Sequence, residues 1–239
     1  MKKTNGSLWL YGHHAVVAAL QNPNREKMQL KMTKESVLPE KIIGNTNHQI
    51  AFRQEIDSLV GQNAVHQGLA LLVKPLPQKT LDEVLETIPQ KAVILILDQV
   101  TDPHNIGAIL RSAAAFDAVA VVIPDACAPE ESAVLAKSAC GALEIVPLIR
   151  VTNLVRAMQQ LKDAGFWCLG LDGYAKEFIS DKKLPAHTAF VLGSEGDGMR
   201  RLTAENCDYT IKLPISDKME SLNVSNAAAV ALYEFYRQR

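Results

Sequence analysis

The sequence predicts an α/β fold: a C-terminal, mostly parallel sheet with helices on both faces, preceded by a smaller α/β module. Three observations carry this. From residue 91 onward, short and almost wholly apolar runs alternate with amphipathic helical segments, as strands covered on both faces by crossover helices do. Before residue 74 the same two patterns recur on shorter lengths. Between them "KPLPQKT" sets two prolines in a polar stretch, the best linker candidate in the chain.

The N-terminal module reads as short alternating elements. "GHHAVVAAL" (12–20) has the apolar spacing of a helix, and "KMQLKM" (27–32) alternates as a strand does. "ESVLPEKII" (35–43) and "RQEIDSLV" (53–60) look helical, with "HQIAF" (48–52) as a strand between them and "GLALLV" (68–73) as a closing buried strand. The expected domains are 1–75 and 91–239, joined by a linker over 76–90. In the second domain, strands are expected at "AVILIL" (92–97), "AVAVVI" (118–123), "FWCLGL" (166–171), "AFVLG" (189–193) and "YTIKL" (209–213). Helices are expected over 105–116, 130–139, 152–163 and 222–237. Ligands of such sheets collect at the carboxyl ends of the strands.

The 239 residues are 48% hydrophobic with a formal charge of −1, which suits a water-soluble protein able to bury a sizeable core. No apolar run approaches the ~20 residues that cross a bilayer. The opening "MKKTNGSLWLYGHH" lacks the apolar core of a signal peptide, so a cytoplasmic protein without a membrane partner is expected. Cys127, Cys140, Cys168 and Cys207 are scattered, with no C-x-x-C pair; they read as reduced thiols, and no metal-ligand spacing appears. The neutral total hides an asymmetry. Residues 1–75 hold nine Lys/Arg, Lys2 and Lys3 among them, against five acids, which leaves the remainder at −5. A basic module can meet a polyanion, although an excess of four also occurs on ordinary solvated surfaces.

Three loops have the composition of a binding site. In "LDQVTDPHNIGAILRSAAAF" (97–116) an apolar run breaks at Asp102-Pro103, a good N-cap and first-turn pair; Asn105 is the other candidate cap. Ile106, Ile109, Leu110 and Ala113 make the buried stripe, and Arg111 lies off its middle, either as a surface side chain or reaching over the helix start. In "FVLGSEGDGMR" (190–200) three glycines interleave with Ser194, Glu195 and Asp197. They permit a tight turn or close approach of backbone to a ligand. The spacing is neither G-x-S-x-G nor G-x-G-x-x-G, which weighs against a hydrolase elbow and a dinucleotide fold. In "LPISDKMESLNVSNAAAVALYEFYR" (213–237) a polar stretch leads to a helix opened by Ser221 or Asn223, with Ala227, Ala228 and Ala229 in its first turns. Free N–H groups at a helix start favour an anion or a polar ligand.

Together these residues resemble the SpoU family of RNA 2′-O-ribose methyltransferases, within the knotted SPOUT class. "DPHNIGAILRSAAAF", "LGSEGDGMRR" and "LPISDKMESLNVSNAAA" match its three motifs in order and spacing, and "YGHHAVVAAL" and "AVHQGLAL" look like its N-terminal substrate-binding domain. "GALEIVPLIRVTNL" is most similar to the branch acting on a guanosine of bacterial 23S rRNA; a tRNA ribose is the alternative substrate. The resemblance implies a C-terminal trefoil knot, S-adenosylmethionine held in it, no metal, and a homodimer built from knot helices. Asn105, Arg111, Glu195, Ser221 and Asn223 fall on the family's active-site positions, and Gly193, Leu213 and Leu222 on cofactor-contacting ones. Three departures bear on packing and RNA contacts: Asp117 where the family usually has glycine, Asn226 for a small apolar residue, and an acidic "ACAPEE".

The implied reaction needs a ribose oxygen aligned with the donor's methyl carbon and its leaving sulfur. Arg111 then has two readings. It deprotonates in the closed complex and acts as base, or it grips a neighbouring phosphate and stabilises the developing alkoxide. The second suits an arginine better, because its guanidinium stays charged and binds phosphate bidentately. Two other classes compete. A nucleotide or NAD enzyme lacks its glycine fingerprint here, and a non-catalytic RNA-binding protein would have no reason to keep every active-site residue.

Overall fold

The computed structural model describes residues 6–126 and 128–239; Lys2, Lys3 and Cys127 lie outside the described residues. The chain forms two compact units. One takes in the chain up to Pro77 together with Glu130–Ile145, the other Gln78–Pro129 with Val146–Arg239.

The first unit runs β1 (Leu8–Tyr11), α1 (His13–Gln21), β2 (Lys27–Met32), α2 (Glu40–Ile43), β3 (His48–Ile50), α3 (Arg53–Val60) and β4 (Leu69–Val73). Its four strands lie in the order β1-β4-β2-β3. β4 is antiparallel to both neighbours and sets Leu71 beside Leu10 and Leu30. On the other face Trp9 and Ala70 pack with Ile56 and Val60 of α3. The helix expected over 35–43 is confined to Glu40–Ile43, with Pro39 at its N-cap. The residue before a proline is driven toward extended backbone, so the helix cannot begin earlier.

The second unit begins with α4 (Leu81–Leu85), β5 (Ala92–Leu97), α5 (Pro103–Ala115) and β6 (Ala120–Pro124). The chain then enters the first unit for α6 (Ala133–Ala139) and a 3₁₀ turn at Ala142–Glu144. Ser132 caps α6 by accepting from the Leu135 N–H at 3.2 Å, which starts the helix three residues later than expected. The excursion is fastened by Arg25, whose side chain is fully buried and pairs with Glu131 and Glu144 at 2.5 Å each. Arg25 also donates to the Lys74 carbonyl at 2.9 Å. Part of the acidic departure in "ACAPEE" thereby has a structural use, as counter-charge to a buried guanidinium.

Back in the second unit follow β7 (Leu148–Val151), α7 (Leu154–Asp163), β8 (Trp167–Leu171), β9 (His187–Leu192), α8 (Arg201–Glu205), β10 (Tyr209–Ile211) and α9 (Val224–Arg237). The six strands are all parallel, ordered β10-β8-β9-β5-β6-β7, and every residue of central β5 is buried. Ile94, Ile96, Val122 and Val191 face α4 and α7, while α5 and α9 pack together and against the strands on the other side. Helices thus cover both faces, as expected. Asp117 adopts a left-handed φ of 53° between α5 and β6, and Arg239 donates to its carboxylate at 2.7 Å and to its carbonyl at 3.2 Å. Asn226 is exposed on α9.

No helix among the described residues is long and apolar enough to cross a membrane. Cys140, Cys168 and Cys207 are unbridged. Burial pushes the Cys168 and Cys207 thiols up to about 12, so both stay protonated and unreactive.

Candidate active site

The site assembles at the carboxyl ends of β5, β8 and β9, as the parallel sheet requires. At the first loop Asp102 is the cap: its carboxylate accepts from the His104 N–H at 2.9 Å, and Pro103 supplies a first-turn residue with no N–H to satisfy. Asn105 is therefore inside the first turn, with its side chain available for a tertiary contact. That contact is Asn223, whose amide donates to Asn105 Oδ1 at 3.1 Å and also to Glu195 Oε1.

Asn223 is at the same time the cap of α9. Its Oδ1 accepts from the Ser225 N–H at 2.9 Å and the Ser225 hydroxyl at 2.6 Å. One side chain thus uses its oxygen locally and its NH₂ group across the site, which fixes the amide orientation. Glu195 accepts in addition from the Val224 N–H at 3.3 Å, where a carboxylate is favoured by the helix start.

The glycine loop that carries Glu195 closes on itself, with Ser194 and Gly198 exchanging backbone hydrogen bonds of 3.0 and 3.2 Å. A β-carbon at Gly193 would sit 2.0 Å from the carbonyl carbon of Gly198 and 2.2 Å from the Met199 nitrogen. No other residue fits there without opening the loop. Gly196 and Gly198 have φ of 91° and 67°, the left-handed region that favours glycine.

A cavity of about 480 Å³ opens against this loop, lined also by residues after β8 and by the stretch leading to α9. Its volume lies in the range of small-molecule sites. Gly193, Leu213 and Leu222 all line it, as do Glu195 and Ser221. Leu171, Leu192, Val224 and Ala227 add apolar surface; Asp172, Asp197 and Glu220 add carboxylates against the single Lys212. Such a lining fits an aromatic, cationic ligand of the adenosyl-sulfonium kind. Arg111 is exposed on α5, some 9 Å of helix rise beyond Asn105.

Sequence reasoning missed the support beneath the loop. Asp98, fully buried just after β5, holds Arg200. The two residues are 102 positions apart, and no local pattern links them; only an acid ending a wholly apolar run hinted at a partner. Also missed was the β8 side of the cavity, where Tyr174 donates to Glu220 at 3.2 Å.

Comparison with known proteins agrees with this geometry. The family model described as SpoU rRNA Methylase family matches residues 92–233, and one described as RNA 2′-O ribose methyltransferase substrate binding matches 9–79. A relative from Photobacterium profundum, 23S rRNA (guanosine-2′-O-)-methyltransferase RlmB, is 44% identical over 96% of this chain and 97% of its own. Its namesake from Vibrio cholerae is likewise 44% identical, over 96% of each chain. Among solved structures, the SpoU methyltransferase AviRb from Streptomyces viridochromogenes, in complex with AdoMet, shares the fold with a TM-score of 0.83 at 23% identity, covering 98% of this chain and 90% of its own. The three loops, the cavity that the second and third of them line and these matches lead to one conclusion: the chain belongs to the SpoU rRNA methylase family.

Proposed function

We propose that this chain transfers a methyl group from S-adenosylmethionine to the ribose 2′-hydroxyl of a guanosine in 23S rRNA. The observation that carries the reading is the Asn223 amide, which joins Asn105 to Glu195 beside a cavity of donor size. The 44% identical relatives, named for that reaction, support the choice of RNA and nucleoside. The unit expected over 1–75 binds the RNA and the unit expected over 91–239 carries methyl transfer; α4, inside the expected 76–90 linker, belongs to the second unit and Glu130–Ile145 to the first. The protein acts in the cytoplasm.

When bound, S-adenosylmethionine supplies an electrophilic methyl on a cationic sulfonium. Leu213 and Leu222 give it apolar contact, Gly193 keeps the loop backbone close, and the surplus of carboxylates favours its charge. Asn105, Asn223 and Glu195 hold one another in place and, with Ser221, orient the ribose, contributing alignment. Arg111 grips a phosphate flanking the target ribose and stabilises the negative charge that develops on the 2′-oxygen. The hydroxyl proton leaves to an acceptor other than Arg111, because a guanidinium has no lone pair to offer.

The same reading includes a C-terminal trefoil knot and a homodimer built from its helices. Support for the dimer comes from α9, where Val230, Tyr233 and Tyr236 are 42%, 53% and 43% exposed. Phe116 meets Tyr233 edge to face and Tyr236 at a tilt, with ring centroids 6.0 and 5.8 Å apart.

Methyl-labelled donor incubated with the protein and unmodified ribosomal RNA tests the reaction. The expected result is label on one guanosine 2′-oxygen of 23S rRNA. Label in tRNA alone would move the substrate to the alternative. No label in any RNA, with NAD binding by calorimetry, would overturn the reading.

A further inference from the structure

The glycine loop is held at both ends by one residue. Asp98 is fully buried. Its backbone N–H donates to the Leu192 carbonyl at 2.7 Å, just before the loop. Its carboxylate takes the far end: Oδ2 accepts from the Arg200 backbone N–H at 2.9 Å, and Oδ1 from Arg200 Nε at 2.8 Å with Nη2 at 2.7 Å. Between these anchors lie only Gly193 to Met199, and at the tip Glu195 meets Asn223 and Val224.

We propose that the Asp98–Arg200 pair is a positioning element for methyl transfer, fixing the glycine loop so that Glu195 stays on Asn223 and the donor cavity keeps its shape. This rests on the function read above. Asp98 touches neither donor nor RNA in this account and acts through the loop. Its charge is needed because two oxygens must face three donors; an amide would turn its own NH₂ toward the guanidinium or the backbone N–H. An ionised carboxylate is tolerated at full burial only when paired and hydrogen-bonded in this manner. The Arg200 side chain is 46% exposed, so its hydrated outer part offsets the desolvation of the pair.

The test uses the full chain with Asp98→Asn, Arg200→Ala and Arg200→Lys. It reads amide hydrogen exchange together with S-adenosylmethionine affinity and methyl-transfer kinetics. In Asp98→Asn, the amides of Gly198, Arg200 and Val224 lose protection while Ile94 and Val191, inside the sheet, keep theirs. The donor KM and Kd rise about tenfold, the effect of one poorly satisfied buried group. The change in kcat at saturating donor is smaller. Arg200→Ala behaves alike, and Arg200→Lys, whose point ammonium replaces only part of the paired Nε and Nη2 grip, loses protection and affinity to a smaller extent than Arg200→Ala. Wild-type protection at Gly198 and Val224 in Asp98→Asn and Arg200→Ala would overturn the proposal. So would a loss of protection spread evenly over the sheet, the mark of a merely structural pair. If Asp98→Asn does not fold, the two Arg200 variants decide by the same amides. Failure of the wild-type chain to bind S-adenosylmethionine would count against the function, while exchange at Val224 would still decide the role of the pair.

Discussion

Replacing Arg25 with alanine should cost the first unit about 3–5 kcal/mol, the usual penalty for removing one partner of a buried ion pair. The side chains of Glu131 and Glu144 are only 10% and 5% exposed. Without the guanidinium they keep single hydrogen bonds from the Leu76 N–H at 2.9 Å and the Asn22 amide at 2.7 Å. Two stranded carboxylates do not double the penalty, because water enters the space that the side chain vacates. The lost Lys74 contact adds an unsatisfied carbonyl. The two tryptophans make the measurement unit-specific: Trp9 is 9% exposed in the first unit and Trp167 is 50% exposed in the second. In a Trp167→Phe background, urea unfolding followed by fluorescence reports on Trp9 alone. With a slope of about 1–3 kcal/mol per M, the midpoint should fall by on the order of 1–5 M. A shift below about 0.3 M would refute the reasoning, since it amounts to less than 1 kcal/mol on that slope.

Asn223→Ala removes both the α9 cap and the bridge between Asn105 and Glu195. Thermal unfolding should show a loss of about 1 kcal/mol, and single-turnover methylation a fall of roughly 10²-fold. Asp117→Gly relieves a left-handed φ but gives up an exposed pair with Arg239. Because exposed pairs contribute about 0–1 kcal/mol, denaturation should find it within about 1 kcal/mol of the wild type, and Asp117→Ala, which keeps the strain, less stable than either. The Arg237 guanidinium hydrogen-bonded to Glu234 holds that carboxyl below the usual range. Its stabilisation is present above the unfolded glutamate's value and is lost as pH falls through the folded one. Glu234→Gln should accordingly flatten the acid limb of a Tm-against-pH curve and leave a difference from the wild type near neutrality.

The parts legible in the sequence were those with a strong local signature. "AVILIL" is β5 residue for residue because a central parallel strand is buried on both faces and has no other pattern to show. Gly193, Glu195 and Asn223 stood out because tight loops and helix starts demand particular residue types. β7 escaped notice: it is an edge strand whose Arg150 interrupts an already short apolar run. The five-residue α4 and α8 are too short to show a helical period. β1 was absorbed into the approach to α1, being only four residues long. Least legible were contacts between distant residues of opposite charge. Asp98 with Arg200, and Arg25 with Glu131 and Glu144, have no periodicity and no spacing, and their meaning appears only once the chain is folded.

The excursion of Glu130–Ile145 into the first unit bears on the order in which the protein can mature during synthesis. The N-terminal segment leaves the ribosome first, yet the counter-charge that buries Arg25 is encoded at residues 131 and 144. At about 5–20 residues per second, synthesis from Pro77 to Glu144 takes roughly 3–13 s. Throughout that interval the nascent N-terminal unit carries a cation whose burial site is incomplete and a sheet whose covering helix α6 has not yet been made. Its completion coincides with the arrival of β7, so the first unit cannot finish until the second is half made, with β8, β9, β10 and α9 still to come.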